Sequence, residues 1–195
     1  SSPTAADKAV SVERLVSQAG LPLSALAPKK TTLLLWQLAG IAAVAGIVLG
    51  VRTIGHESWA GPTVALLGSL FFLDQTVLRG LIFEQAYSRL NSEYSDRIAR
   101  HEAGHLLCGY LSGLSISGYV LSGAEAFRDN IPGQAGTLFF DARMSKELQS
   151  GTVTNRTIDR YSCVLMAGIA AEAIEYGQAE GGAGDEAGLV SLLSQ

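Results

Sequence analysis

The stretch NSEYSDRIARHEAGHLLCGYL, residues 91–111, decides the fold of the second half of the chain. Its first ten residues are rich in charge, which places the predicted helix in water rather than at bilayer depth. His101 and His105 are four positions apart, so on an α-helix their imidazoles lie on one face and can reach one ion together. Glu102 points about 100° away from His101, where it can contact a water bound to that ion. The stretch therefore predicts a metal-binding helix.

This H-E-x-x-H spacing is typical of zinc peptidases, in which the glutamate takes a proton from a zinc-bound water. Catalytic zinc needs a third protein ligand and one open position. The residues after His105, LLCGYL, lack the further histidine of metzincins, so the third ligand must lie on another segment. The candidates are Glu172 and Glu175 in the apolar helix YSCVLMAGIAAEAIEYG, and Asp185 in the glycine-rich GGAGDEAGL.

The chain as a whole is unusually apolar. Of its 195 residues, 48% are hydrophobic and 16% charged, against about 25% charged in ordinary soluble domains. Two stretches without a basic residue, residues 31–51 and 59–78, predict a transmembrane helical hairpin with Asp74 near the far headgroups. His56 would then lie in the link on the opposite side of the membrane, where it cannot be a ligand. The net charge of −4 argues against nucleic-acid binding.

The predicted organisation has three parts. Residues 1–30 form an N-terminal tail with an amphipathic helix, residues 31–79 the transmembrane hairpin, and residues 80–195 a zinc-peptidase-like domain. That domain is predicted to be mainly α-helical and zincin-like. Two segments rich in β-formers, residues 115–123 and 136–141, predict a small β-ribbon between the two parts of the site.

From about Ser95 onward, the order of these motifs resembles the peptidase domain of the FtsH-type membrane-anchored metalloproteases. The resemblance is carried by HEAGH, a strand-like region, the helix sequence AGIAAE, and a glycine-rich turn that ends in an acid. In that family, two histidines and a distant aspartate bind zinc. The resemblance thus implies His101, His105 and Asp185 as the Zn²⁺ ligands and Glu102 as the catalytic carboxylate.

Three other acids stay open as the third ligand in place of Asp185, namely Glu186, Glu172 and Glu175. The chain also departs from the family pattern. It contains no G-x-x-x-x-G-K-[ST] motif, so it has no ATPase module of its own. Ile169 and Ala173 occupy positions where the family usually has an arginine and a second glutamate.

The expected function is that of a membrane-anchored zinc metalloendopeptidase without ATPase, acting on membrane or membrane-proximal proteins. The alternative is a non-proteolytic FtsH-like subunit or assembly factor of a larger membrane complex. The pattern is similar to stand-alone FtsH-like proteins of plastids, which implies a chloroplast membrane, thylakoid or inner envelope, with the peptidase-like domain on the stromal side. Neither ATP nor nucleic acid is an expected partner.

Overall fold

The structure is a computed structural model that describes residues 12–28, 31–78, 80–131 and 135–194. Along the chain these residues form α1 (Val12–Ala19), a 3₁₀ turn (Leu23–Leu26), α2 (Thr31–Thr53), α3 (Glu57–Thr76), α4 (Leu81–Leu90), α5 (Ser92–Leu111), β1 (Ser115–Val120), α6 (Gly123–Arg128), β2 (Gly136–Phe140), α7 (Ala142–Ser150), α8 (Asn155–Tyr176) and α9 (Ala183–Leu193). A mainly helical chain with a small two-stranded sheet agrees with the sequence prediction. The first 11 residues of the predicted tail lie outside the described residues.

The predicted transmembrane hairpin of residues 31–79 is wrong. Within the described part of the chain, no helix is long and apolar enough to cross a membrane. The apolar part of α3 runs only from Val64 to Leu73, or about 15 Å. The prediction rested on missing charges, whereas insertion depends on summed apolarity, to which glycine, serine and threonine add little.

Two buried carboxylates join α4 to its neighbours. Asp74, which the sequence placed near lipid headgroups, is only 4% exposed and accepts the backbone N–H of Ile82 at 2.8 Å. Glu84 is equally buried and accepts the N–H of Gly123, the first residue of α6, at 3.2 Å. Asp74, in the last turn of α3, therefore accepts a hydrogen bond from the start of α4, while Glu84 holds α6 against α4.

The pairing of α5 with α8 positions the predicted site. Small side chains let the two helices approach closely: a Cβ on Gly104 would lie 2.5 Å from the carbonyl oxygen of Ala167 and 2.8 Å from Cβ of Ala171. The Thr154 side chain caps the start of α8, and Gly177 ends it in the left-handed region at φ 75°. Glycine adopts this conformation without strain, so the helix can end there and the chain can turn toward α9.

The β-ribbon lies along α5. Strands β1 and β2 pair antiparallel, with Tyr119 opposite Thr137 and an irregularity between Ile116 and Gly118. Phe139 of β2 packs on α5 at Gly109, where a Cβ would meet the phenyl ring at 2.3 Å. A glycine at this position thus brings β2 within reach of the H-E-x-x-H turn.

Asp141 fixes the corner between β2 and α7. Its side chain caps α7 by accepting the backbone N–H groups of Arg143 and Met144, forms an ion pair with Arg160 of α8, and accepts the Tyr161 hydroxyl at 3.3 Å. Burial raises the pKa of Asp141, but these donors and the guanidinium charge outweigh it, so the pKa lies below its ordinary value.

Candidate metal centre

Two imidazoles lie one turn apart on α5 with their Nδ1 atoms held by the protein. His101 and His105 are both buried, and their ring centroids are 4.7 Å apart. His101 Nδ1 lies 2.7 Å from Glu172 Oε1, and His105 Nδ1 lies 2.7 Å from the carbonyl oxygen of Val164. A carbonyl or carboxylate oxygen requires a donor, so we assign the protons to both Nδ1 atoms. In the neutral rings the Nε2 lone pairs are then available to a cation.

Asp185, in the first turn of α9, faces both Nε2 atoms. Its Oδ2 lies 2.9 Å from His101 Nε2 and 3.4 Å from His105 Nε2. Ligand atoms 2.0–2.2 Å from a tetrahedral zinc ion are about 3.3–3.6 Å from one another. The longer distance already matches this spacing, and the shorter one would have to widen by roughly half an ångström. Both distances from Asp185 Oδ2 therefore fit a zinc ion after a small adjustment.

A glycine keeps the space beside these atoms open. A Cβ on Gly168 of α8 would lie 2.4 Å from His101 Nε2 and 2.6 Å from His105 Nε2. Any larger side chain would collide with the His101 ring at Nε2 and Cδ2 and with His105 Nε2. The sequence offered this residue only as one small position in the Ala/Gly-rich helix.

The electrostatic surroundings favour positive charge. Burial lowers the pKa of His101, but hydrogen bonds and charges from Asp185 and Glu172 outweigh it and raise the pKa to about 9. The pKa of His105 is raised in the same way, chiefly by Asp185 against the effect of burial. Burial raises the pKa of Asp185, yet the two imidazoles bring it well below its ordinary range. Such a cluster stabilises a proton or a metal cation between the imidazoles and the carboxylates.

Glu102 lies beside the imidazoles and is held by the β-ribbon. It is 7% exposed, and its ligand oxygen falls within 4.8 Å of the ligand nitrogens of His101 and His105. Its Oε2 accepts the hydroxyl of Thr137, from β2, at 2.8 Å. These three side chains form a compact group of metal-ligating type, and the Asp185 carboxylate contacts the same two histidines. The Glu102 carboxylate is thus oriented by one strong donor and remains next to the candidate ion position.

The structure separates the alternative third ligands by position. Glu172 binds the Nδ1 side of His101, away from the Nε2 atoms. Glu175 is about half exposed and pairs with Arg100 at 3.3 Å, and Glu186 is exposed. His56 is exposed at the start of α3, although the membrane argument that excluded it no longer applies. Asp185 is the one of these acids in contact with both Nε2 atoms.

Two polar residues at the site were not anticipated from the sequence. Thr137 reaches Glu102 from β2, and Arg97 reaches the Glu172 carboxylate from the turn before His101 at 3.8 Å. Arg97 carried a usable signal, because it stands four positions before His101 and thus on the same helix face. No sequence signal pointed to Thr137, because its contact with Glu102 depends on how the ribbon packs against α5.

Comparison of the chain with protein-family models, with curated proteins and with solved structures finds no match. The resemblance to FtsH-type peptidases therefore rests on the motifs of the chain itself, HEAGH and AGIAAE above all.

Proposed function

We propose that the chain is a zinc metalloendopeptidase of the FtsH-like kind that has no ATPase and cleaves protein segments already unfolded. The observation that carries the proposal is the convergence of His101 Nε2 and His105 Nε2 on Asp185 Oδ2, at 2.9 and 3.4 Å. Two imidazoles and one carboxylate form the donor set of catalytic zinc sites with an open fourth position. The same donors suit Fe²⁺, but the carboxylate of Glu102 beside them favours hydrolysis.

When bound, a zinc ion would supply a Lewis acid that polarises the peptide carbonyl and acidifies water. Glu102 is then the general base: its carboxylate accepts a proton from the attacking water and later delivers it to the amide nitrogen as the C–N bond breaks. Thr137 holds that carboxylate in place through its hydroxyl. Glu172 and the Val164 carbonyl keep both histidines in the tautomer that leaves Nε2 free.

The β-ribbon supports an extended polypeptide as substrate. Within the described residues the sheet has two strands, so each strand keeps one unpaired edge. Strand β2 touches the site through Thr137, so a segment added to the ribbon would run past Glu102. In the FtsH-type family the corresponding edge strand holds substrate in this way. The proposed substrates are unfolded segments, because a polypeptide must be extended to pair with the edge of the ribbon.

The experiment compares the full chain, loaded with Zn²⁺, with its Glu102→Gln variant on fluorescein-labelled casein, an unfolded protein. Glu13→Gln, on the exposed surface of α1, is the matched control. We expect Glu102→Gln to keep its zinc but lose at least about 100-fold in cleavage rate, because general-base catalysis contributes roughly 10²–10⁴-fold. The control should cleave like the parent.

Unchanged cleavage by Glu102→Gln would contradict the assigned base. A zinc-loaded parent that cleaves nothing would instead favour the alternative, a non-proteolytic FtsH-like subunit or assembly factor. Co-purification with a larger complex that Glu102→Gln does not disturb would support that alternative. The chloroplast location stays a prediction from the resemblance.

A further inference from the structure

Arg97 lies one helical turn before His101 and reaches across to the loop between α8 and α9. Its side chain is 15% exposed, and its guanidinium stacks over the ring of Tyr176, 4.1 Å from the centroid. Nη1 donates to the carbonyl oxygen of Gln178 at 3.2 Å, and Nη2 lies 3.9 Å from the Glu180 carboxylate. One side chain thus contacts the end of α8 and the loop that follows it.

The carboxylate of Glu172 links this loop to the candidate metal ligands. It is 3% exposed at the side chain, and its Oε1 accepts His101 Nδ1 at 2.7 Å. The same carboxylate accepts the backbone N–H groups of Glu180 at 3.0 Å and Gly181 at 3.2 Å. Asp185 follows four residues after Gly181. One buried acid therefore orients a histidine and anchors the loop that delivers the third ligand.

The guanidinium of Arg97 also lies near the buried carboxylate of Glu172. A buried carboxylate is costly unless it is paired, and Glu172 lies near a second acid, Asp185, on the other side of His101. Arg97 Nη1 is 3.8 Å from Glu172 Oε2. Its guanidinium is permanently charged and offers several donors in a fixed fork. Its Nε and Nη2 atoms bind Glu93 Oε1 at 2.9 and 2.8 Å, while Nη1 donates to the loop carbonyl of Gln178 and faces Glu172.

We propose that Arg97 is a positioning residue for the metal centre. Together with Glu172 it forms a brace that fixes the ring of His101 and the loop of residues 178–182, and so holds Asp185 against the histidines. The inference rests on the proposed metal site. A purely structural residue would affect only stability, whereas loss of the brace should also lower the affinity of the chain for the metal.

The test titrates the metal-free full chain with Zn²⁺ against a chromophoric chelator and records the thermal midpoint of each metal-free variant. Arg97→Met removes the charge and keeps an apolar stem over Tyr176, and Arg97→Lys keeps the charge without the fork. Arg100→Met is the matched control, because Arg100 is on the same helix and pairs with the half-exposed Glu175. We expect Arg97→Met to weaken zinc binding about 10–100-fold, Arg97→Lys to weaken it less, and Arg100→Met to leave it unchanged.

A double-mutant cycle with Glu172→Gln separates the brace from general destabilisation. If Arg97 acts through Glu172, the loss caused by Arg97→Met should largely disappear in the Glu172→Gln background. Full additivity of the two losses would overturn the brace.

Wild-type zinc affinity in Arg97→Met would also overturn the proposal while leaving the metal site intact. Should Arg97→Met fail to fold, Arg97→Lys decides: unchanged affinity overturns the brace, and weaker binding with a wild-type thermal midpoint supports it. A parent chain that takes up no Zn²⁺ would instead remove the metal site and, with it, the proposed function.

Discussion

Replacing Gly168 with alanine should abolish zinc binding without unfolding the protein. The added Cβ would lie 2.4 Å from His101 Nε2 and 2.6 Å from His105 Nε2. An ordinary van der Waals contact needs about 3.5 Å, so each imidazole would have to move by roughly 1 Å. Zinc sites keep their ligand distances within about 0.2 Å. A shift of this size therefore removes at least one histidine from the ligand set.

The expected loss of zinc affinity is at least about 100-fold, which corresponds to ~2.8 kcal/mol at 1.4 kcal/mol per tenfold. The effect on folding should be smaller. Alanine gains up to ~1 kcal/mol of helix propensity over glycine, while overpacking a buried crossing costs about 1–3 kcal/mol. The free energy of unfolding of the metal-free chain should thus fall by no more than about 2 kcal/mol.

Two other glycines serve as controls in the same assays, zinc titration against a chelator and urea unfolding. Gly104→Ala lies at the same helix crossing but strikes the Ala167 carbonyl at 2.5 Å rather than a ligating nitrogen. It should lose stability yet bind zinc at least about tenfold more tightly than Gly168→Ala. Gly68→Ala, inside α3 with nothing within 4 Å of its Cβ, should gain up to ~1 kcal/mol. A folded Gly168→Ala chain with wild-type zinc affinity would refute the proposed ion position.

Three further predictions concern residues around the site. Asp141→Ala should destabilise the chain by about 1–2 kcal/mol at pH 7 through loss of the α7 cap. Because the pKa of Asp141 is lowered in the fold, the difference in stability between parent and variant should shrink as pH falls below about 4. Urea unfolding midpoints at pH 7 and pH 3 would check this. Burial raises the pKa of Glu84 in the fold, against the Gly123 hydrogen bond, so the stability of the parent relative to Glu84→Gln should fall as pH rises from about 4.5; a constant difference up to pH 8 would contradict this. Thr137→Val should lower casein cleavage about tenfold at unchanged zinc content, whereas Thr137→Ser retains the hydroxyl and the rate; equal rates in both variants would count against a role for the hydroxyl.

The spacing of residues in the sequence was sufficient to predict the part of the site that lies within one helix. The i, i+4 separation of His101 and His105 alone places both imidazoles on one face, and the structure shows their rings 4.7 Å apart. Asp185 is 84 positions from His101, and no periodicity connects them. Its assignment came from a family resemblance, and the residues alone left Glu172 and Glu175 equally open.

The remaining differences arise from tertiary packing. Thr137 reaches Glu102 because β2 packs on a glycine of α5, which a strand pattern alone does not reveal. Likewise, the role of Glu172 depends on which nitrogen of His101 it faces. That is set by how α5 and α8 are rotated relative to each other about their axes. The hairpin prediction failed because a run without charges was taken as a measure of membrane-spanning length, whereas α3 contains Pro62 and carries the buried Asp74 in its last turn.

The proposed function depends on a single metal ion held by His101, His105 and Asp185. Anomalous diffraction at the zinc absorption edge, from crystals of the full chain grown with Zn²⁺ and without chelators, would test it. We expect one strong anomalous peak within about 2.0–2.2 Å of both Nε2 atoms and of Asp185 Oδ2, and no such peak in crystals of Asp185→Ala. Crystals that contain zinc but show no peak at these three atoms would contradict this assignment.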